Sequence, residues 1–131
     1  MNQQPNTVLI IDDDERNIFA LSAVLKNRGF QCLSAVSGND GLRIMKATPG
    51  IDVVLADMMM PGMDGYELLS IIRREPGVDK LPVIAVTAQA MPGDREKCIA
   101  AGADAYVSKP VDIDKLMNIM HDLFNTGRAS V

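Results

Sequence analysis

Three short apolar runs constrain the fold of this chain more than any other feature of its sequence. They read VLII, VVLA and VIAV, and each is apolar at every position rather than at alternate ones. Two weaker β-type runs complete a set of five predicted strands, which are Thr7–Ile11, Gln31–Ala35, Asp52–Ala56, Pro82–Val86 and Ala105–Val107. Strands that are apolar throughout are typical of a parallel sheet covered by helices on both faces.

A helix-length pattern follows each predicted strand. Apolar residues recur in these stretches at spacings of about three or four, and Gly or Pro stands just beyond four of them. The residues that mark the five helices are, in chain order, Ile18, Leu21 and Leu25; Leu42 and Met45; Leu68, Leu69 and Ile72; Cys98 and Ala101; and Ile113, Leu116, Met117, Met120 and Phe124. Strand and helix thus alternate, with connections too short for a second domain. This order predicts an α/β fold with a doubly wound five-stranded parallel sheet.

Length and charge narrow the class of protein further. A chain of 131 residues has the size of one domain; we expect a core over about 7–124 and flexible ends at 1–6 and 126–131. Thirteen basic and seventeen acidic side chains give a net charge of −4, which argues against nucleic-acid or anionic-membrane partners. Two distant cysteines and a single histidine nearly exclude structural zinc. No apolar run approaches the length of a membrane span, so we expect a cytoplasmic domain.

Polar side chains follow four of the five predicted strands. They are Asp12, Asp13 and Asp14 after the first strand, Asp57 after the third, Thr87 after the fourth, and Ser108 and Lys109 after the fifth. Ligands of doubly wound sheets bind beyond the carboxyl ends of the strands. Two carboxylates about 4–5 Å apart repel by roughly 3–4 kcal/mol at an effective dielectric constant near 20, so something must compensate them. Lysine and a hard cation such as Mg²⁺ would do so, and threonine and lysine also suit phosphoryl oxygens.

Each of these side chains also has an ordinary structural explanation. A single Asp after a strand is more often a helix N-cap than a ligand, and Asp13 or Asp14 could cap the first helix. Thr87 could cap a turn, and Lys109 could be a solvated surface lysine. Caps alone do not explain acids, threonine and lysine at one edge of the sheet. We therefore favour a binding site.

The chain resembles the receiver (CheY-like) domains of two-component response regulators over about residues 7–124. The resemblance is carried by VLIIDDDERN, VVLADMMMPGMDGYELL, VIAVTAQA and GADAYVSKP. It is strongest for receivers associated with hybrid sensor histidine kinases. It implies a flavodoxin-like (βα)5 fold with strand order 2-1-3-4-5, and a single receiver domain over residues 1–131.

The resemblance implies a phosphoacceptor and a metal site. Asp57 would be the nucleophile that accepts a phosphoryl group from a phosphohistidine. Asp12, Asp13 and Asp57 would bind Mg²⁺, with Mn²⁺ as a substitute, and the backbone carbonyl of Met59 would complete the protein ligands. Lys109 would pair with the phosphoryl oxygens.

A switch is implied as well. Thr87 would donate its hydroxyl to the phosphoryl group, and Tyr106 would move inward to change the face formed by the fourth helix, fifth strand and fifth helix. Tyr106 has an alternative interpretation, since aromatic residues in strands are often half-buried without any role in a switch. Three residues would flank the site: Ala88, Gln89 and Pro110, with Lys109–Pro110 a candidate cis peptide.

The implied partners are a sensor histidine kinase or a histidine phosphotransfer protein, an output domain or downstream protein, and a phosphorylation-dependent homodimer. The chain would be a self-catalysed phosphoacceptor with slow autodephosphorylation, not a turnover enzyme. Asp104 fits the pattern of dimeric transcription-factor receivers, although the last helix lacks the basic residues that usually pair with it. Arg73 and Arg74 are interpreted as a solvated helix end, and His121 as a surface side chain.

Three alternatives stay open. A haloacid-dehalogenase-like phosphatase also uses an aspartyl nucleophile with Mg²⁺, but it requires a second Asp where this chain has Met59. A flavodoxin-like FMN carrier requires a hydroxyl-rich loop where this chain has IDDDERN. A receiver-like module that acts without phosphorylation would need none of the matching residues.

Overall fold

Five strands and five helices alternate along the part of the chain that the computed structural model describes, residues 6–88 and 91–125. The elements are β1 (Thr7–Ile11), α1 (Glu15–Asn27), β2 (Gln31–Ala35), α2 (Gly38–Ala47), β3 (Val53–Asp57), α3 (Gly65–Arg74), β4 (Val83–Thr87), α4 (Asp94–Ala101), β5 (Ala105–Ser108) and α5 (Ile113–Asn125). Within those residues no helix combines the length and the apolar character that a membrane crossing requires.

The strands form one parallel sheet in the order β2-β1-β3-β4-β5. The predicted fold class and strand order are therefore confirmed. The order reverses between β1 and β3, which lie side by side with Ile11 opposite Ala56. A crevice opens at such a reversal, because the connections on its two sides leave in opposite directions.

Three strands extend one residue further than the sequence predicted. β3 ends at Asp57 and β4 at Thr87, and Ser108 belongs to β5. Asp57 pairs with Val86 in the ladder, and the Met58 N–H donates to the Val86 carbonyl at 2.9 Å. The hydrogen bonds of the sheet thus continue into the polar residues, and the apolar pattern of the sequence alone does not predict this extension. Asp57 and Thr87 are consequently fixed by the sheet rather than carried on loops.

The core consists of two clusters, one on each face of the sheet. The first contains side chains of α2, α3 and α4, among them Met45, Leu69 and Cys98. The second contains side chains of α1 and α5, among them Leu25 and Leu116. Both faces of the central strands are covered, which explains why the strands are apolar at every position.

Of the three consecutive acids after β1, one is a helix cap. The Asp14 carboxylate accepts the Arg16 N–H at 2.9 Å and caps α1. This hydrogen bond lowers the pKa of Asp14. Asp64 caps α3 in the same way through the Glu67 N–H. Because Asp14 is the cap, the structural explanation does not extend to Asp12 and Asp13.

The interpretation of Arg73 and Arg74 as a solvated helix end is wrong for Arg73. Arg74 is exposed, and its Nε donates to the Ser70 carbonyl of its own helix. The Arg73 side chain is only 21% exposed and pairs with Asp104 at 2.9 Å. The Asp104 carboxylate, which fits the pattern of dimeric transcription-factor receivers, thus has a partner within the chain.

Candidate functional site

Three carboxylates meet beyond the carboxyl ends of β1 and β3. Oxygen atoms of Asp12, Asp13 and Asp57 all lie within 4.8 Å of one another. Asp12 and Asp57 are buried, whereas Asp13 is exposed. The grouping follows from the strand order, because β1 and β3 are neighbours at the point where that order reverses.

Asp57 is held by a short-range and a long-range contact. Its Oδ1 accepts the Met59 N–H at 3.0 Å, and its Oδ2 lies 3.4 Å from the Lys109 Nζ. Burial raises the pKa of Asp57, and the Asp12 charge adds to that rise; the Met59 N–H and Lys109 oppose it. The ionised form of Asp57 is thus disfavoured without a further cation.

Asp12 uses both carboxylate oxygens. Oδ1 accepts the Asp14 N–H at 2.9 Å, and Oδ2 receives contacts from Lys109 Nζ at 3.3 Å and from Asn17 Nδ2 at 3.5 Å. The contact with Asn17 has no clear sequence signal, because an Asn in the first turn of a helix is ordinary. These contacts fix the orientation of Asp12 at the edge of the crevice.

Lys109 is shared between the two buried carboxylates. Burial opposes the charge of its ammonium group, but Asp57 and Asp12 together raise the pKa of Lys109 above its ordinary value. One cation therefore serves two buried anions, with the exposed Asp13 beside them.

The donor set suits a hard divalent cation. Three carboxylates supply oxygen ligands, and Mg²⁺ is bound in proteins through one or two carboxylates together with water and phosphate oxygens. Lys109 alone leaves the cluster with surplus negative charge. The residues present thus fit Mg²⁺ in both ligand type and charge.

Thr87 and Tyr106 lie on the two strands that follow β3 in the sheet. Thr87 is buried at the end of β4, next in the strand after Val86, the partner of Asp57. Its carbonyl accepts the Lys109 N–H at 2.7 Å. Tyr106 is half-buried on β5 opposite Ala85, and burial raises its pKa. The sheet therefore connects the acidic cluster with Tyr106 through β4.

Two of the three predicted flanking residues directly follow site residues in the chain, Ala88 after Thr87 and Pro110 after Lys109. Ala88 and Pro110 are exposed, and the Lys109–Pro110 peptide bond is cis, as predicted. The Met59 side chain is 50% exposed. Gln89 lies outside the described residues.

An apolar groove opens beside the acidic cluster. It has a volume of about 230 Å³ and runs between α1 and the segment after β5. Its walls include Leu21, Val24 and Val111, and Asp57 and Lys109 line the same groove. Phe19, on the exposed side of α1, is 78% exposed. Apolar contact surface thus adjoins the charged site directly.

A doubly wound sheet with two buried carboxylates, a third carboxylate and a shared lysine at its switch point defines a class of α/β domains with an acidic site at the carboxyl edge of the sheet. The chain belongs to one family of that class: residues 8–121 match the family model of the response regulator receiver domain. It is thus a receiver domain of two-component systems.

Curated relatives include response regulators and hybrid kinases. The chain is 33% identical to response regulator Rre1 of Synechocystis over 97% of its length and 55% of that protein. It is 35% identical to the signal transduction histidine-protein kinase BarA of Escherichia coli K12 over 87% of its length and 12% of that protein. It is 40% identical to the sensor histidine kinase RcsC of Salmonella typhi over 83% of its length and 11% of that protein. The chain thus spans about half of the first relative and a small part of the others.

Solved structures show the same architecture. The receiver domain of sensor histidine kinase PA1611 from Pseudomonas aeruginosa PAO1, with a magnesium ion coordinated in its active site cleft, has a TM-score of 0.84 at 29% identity and covers 93% of this chain and 99% of that one. The receiver domain of the Francisella response regulator 1452 has a TM-score of 0.83 at 28% identity, with 92% and 97% covered.

Proposed function

We propose that Asp57 accepts a phosphoryl group from a phosphohistidine. A carboxylate oxygen of Asp57 forms the new O–P bond while the P–N bond breaks, and the electron pair of that bond leaves with the imidazole nitrogen. The product is an acyl phosphate. The observation that carries this proposal is the cluster itself: Asp57 is buried within 4.8 Å of two other carboxylates and beside Lys109.

Asp12, Asp13 and Asp57 would hold Mg²⁺ together with the backbone carbonyl of Met59, and Mn²⁺ could substitute for it. When bound, the ion neutralises charge on the oxygens of the transferring group. The surplus of carboxylates over lysine supports this proposal, as does the magnesium ion in the solved receiver of PA1611. The Met59 N–H keeps Asp57 oriented, because it occupies Oδ1 at 3.0 Å.

Lys109 and Thr87 would bind the oxygens of the phosphoryl group. Lys109 already contacts Asp57 and would transfer that contact to the more negative acyl phosphate. Thr87 ends the neighbouring strand and carries a hydroxyl that can donate a hydrogen bond. A shift of Thr87 would pass to the segment after β4 and to Tyr106.

The face formed by α4, β5 and α5 would then change its affinity for a partner. That partner is an output domain, a downstream protein or a second phosphorylated copy. Tyr106 supports the proposal because it is half-buried and packs against the cluster that includes α4 side chains. A half-buried aromatic has room to move in either direction when its neighbours shift.

The phosphoryl donor would be a sensor histidine kinase or a histidine phosphotransfer protein. The groove beside Asp57 and the exposed Phe19 offer apolar contacts to a protein that carries its phosphohistidine on a helix. The hybrid-kinase relatives BarA and RcsC support such a donor. The chain would act as a phosphoacceptor with slow loss of phosphate rather than as a turnover enzyme.

Intact-protein mass spectrometry after incubation with acetyl phosphate and Mg²⁺ tests the proposal. We expect one phosphoryl group on the native chain, none after chelation of Mg²⁺, and none on Asp57→Asn. Asp14→Asn is the matched control. Asp14 caps α1, so its substitution should leave phosphorylation intact. Phosphate on Asp57→Asn would overturn the assignment.

Two other results would favour the alternatives. Continuous release of many phosphates per chain would indicate a phosphatase. A native chain that stays unmodified in Mg²⁺ but binds its partner would indicate an interaction module that acts without phosphorylation.

A further inference from the structure

Arg73 makes five hydrogen bonds near the amino ends of β4 and β5. Its guanidinium donates to the carbonyls of Asp79 at 3.1 Å, Leu81 at 2.7 Å and Gly102 at 2.9 and 2.7 Å. It also donates to the Asp104 carboxylate at 2.9 Å. A guanidinium has five N–H donors in a rigid planar fork, so this contact uses its full capacity.

These bonds join three segments that are distant in sequence. Arg73 lies in the last turn of α3, Leu81 precedes β4, and Gly102 and Asp104 lie between α4 and β5. The Asp104 carboxylate also accepts the Val83 N–H at 2.9 Å, which extends the network to the first residue of β4.

The position of Gly102 next to Arg73 favours glycine. Its φ of +120° is rarely adopted by other residues, and a Cβ there would lie 3.0 Å from the Arg73 Cγ. A Cβ at Gly102 would thus require the Arg73 side chain to shift by a few tenths of an ångström. The Gly102 and Ala103 N–H groups complete the helix end by donating to Ile99 and Cys98.

The opposite end of α4 has a different character. Gly93 is the N-cap residue and has no side chain with which to cap the helix. The Met91 N–H donates to the Asp94 carboxylate and the Asp94 N–H to the Met91 carbonyl, so these bonds stay within one turn. Residues 95–97 are exposed. This end lies on the side of the sheet where β4 ends at Thr87.

We propose that Arg73 anchors the C-terminal end of α4 and makes it the pivot of the switch. Movement that follows phosphorylation is then confined to the N-terminal end of α4, while the junction of α4 and β5 stays fixed. The pivot rests on the proposed function; the anchor does not, because its contacts are present without a phosphoryl group. Asp104 is thereby a structural partner of Arg73 within the chain.

Residue-resolved hydrogen exchange on the full chain tests the anchor. In Arg73→Met, amide exchange at Val83, Ala103 and Asp104 should quicken by about 10- to 100-fold relative to the rest of the molecule, because a charged network at this site is lost. Arg74→Met is the matched control, since the Arg74 Nε bonds only to its own helix through Ser70 in the described contacts. It should leave these amides unchanged.

Beryllofluoride with Mg²⁺ tests the pivot. In the native chain, NMR shift changes on α4 should concentrate at residues 91–97, and in Arg73→Met they should spread to 98–104. Asp104→Asn offers a milder second variant, in which the same amides should quicken by a smaller factor. Retention of the native exchange pattern in both variants would overturn the anchor.

The two proposals fail in distinguishable ways. Equal shift changes at both ends of α4 in the native chain would overturn the pivot alone. A native chain that does not bind beryllofluoride would overturn the proposed function and the pivot with it, while the exchange result on the anchor would stand.

Discussion

The two edges of the sheet differ in how their charged side chains are balanced. At the carboxyl edge, Asp12, Asp13 and Asp57 gather around Lys109, and the pKa of Asp57 is raised by burial and by the Asp12 charge. At the amino edge, the Asp104 carboxylate meets Arg73, which donates five hydrogen bonds. The carboxyl edge thus has more carboxylates than cations in this cluster, whereas the Asp104 carboxylate at the amino edge has a cation as its partner.

The fold therefore gains stability from the charges at the amino edge and loses stability through those at the carboxyl edge. A charge-assisted network with most of its groups bonded supports the folded state, and removal of one partner leaves the others buried. A cluster of like charges opposes folding until a ligand compensates it. If this contrast is correct, substitutions at the two edges should change the free energy of unfolding with opposite signs.

The largest effect is expected at Arg73. Arg73→Met should lower the free energy of unfolding by about 2–3 kcal/mol, because three carbonyls and the Asp104 carboxylate lose their donor. Urea unfolding monitored by circular dichroism measures it. Arg74→Met should change the value by less than about 0.5 kcal/mol. Equal losses of stability in the two variants would mean that the hydrogen bonds of Arg73 at the amino edge do not add to the stability of the fold.

Gly102→Ala should have the next largest effect, a loss of about 2 kcal/mol. The new Cβ would meet Arg73 at 3.0 Å in a backbone region that costs about 1–2 kcal/mol for other residues. Gly50→Ala is the control, since Gly50 has φ +94° but no atom within 4 Å of the added Cβ. The excess of Gly102→Ala over Gly50→Ala should disappear in an Arg73→Ala background, because alanine has no Cγ for the new Cβ to meet. An excess that persists there would show that Arg73 is not the obstacle.

The sequence predicts the carboxyl edge far better than the amino edge. Apolar runs fix the strands, and parallel topology brings Asp12 and Asp57 to one edge, so their proximity follows from local pattern. Arg73 bonds to groups six to 31 residues away, most of them backbone carbonyls that have no sequence signature. Its sequence context, the last turn of an amphipathic helix, is typical of a solvated arginine.

Smaller misses have a similar origin. The ladder extends β4 to Thr87 because of hydrogen bonds that polarity does not show. Asn17 approaches Asp12 only because α1 starts directly beneath the crevice. The roles of Thr87 and Tyr106 as a switch stay predictions, since they concern a phosphorylated state.

At the carboxyl edge, Asp57→Asn should stabilise the fold by about 1 kcal/mol, because one of two close buried charges is removed. Asp104→Asn should destabilise the fold. The same chemical change would then alter the free energy of unfolding with opposite signs at the two edges. Thermal and urea unfolding in Mg²⁺-free buffer measure both. The same sign in both variants would remove the contrast between the two edges.

The effect of Mg²⁺ on the free energy of unfolding should also differ between variants at the two edges. At about ten times its Kd, Mg²⁺ should stabilise the native chain by about 1.4 kcal/mol. Asp57→Asn should gain much less, because one ligand has lost its charge. Arg73→Met should gain as much as the native chain. A Mg²⁺ effect that is independent of Asp57 would place the ion elsewhere.

The smallest effects should separate the neighbouring acids after β1. Asp14→Ala removes the cap of α1 and should lower the melting temperature by about 3 °C while Mg²⁺ affinity stays within a factor of about two. Asp13→Asn should do the reverse, because Asp13 is exposed and contributes to the cluster but not to the cap. Calorimetric titration and melting curves on the two variants test this division. If Asp14→Ala lost Mg²⁺ binding and Asp13→Asn kept it, Asp14 rather than Asp13 would be the metal ligand, and the assignment of the cluster at the carboxyl edge would be wrong.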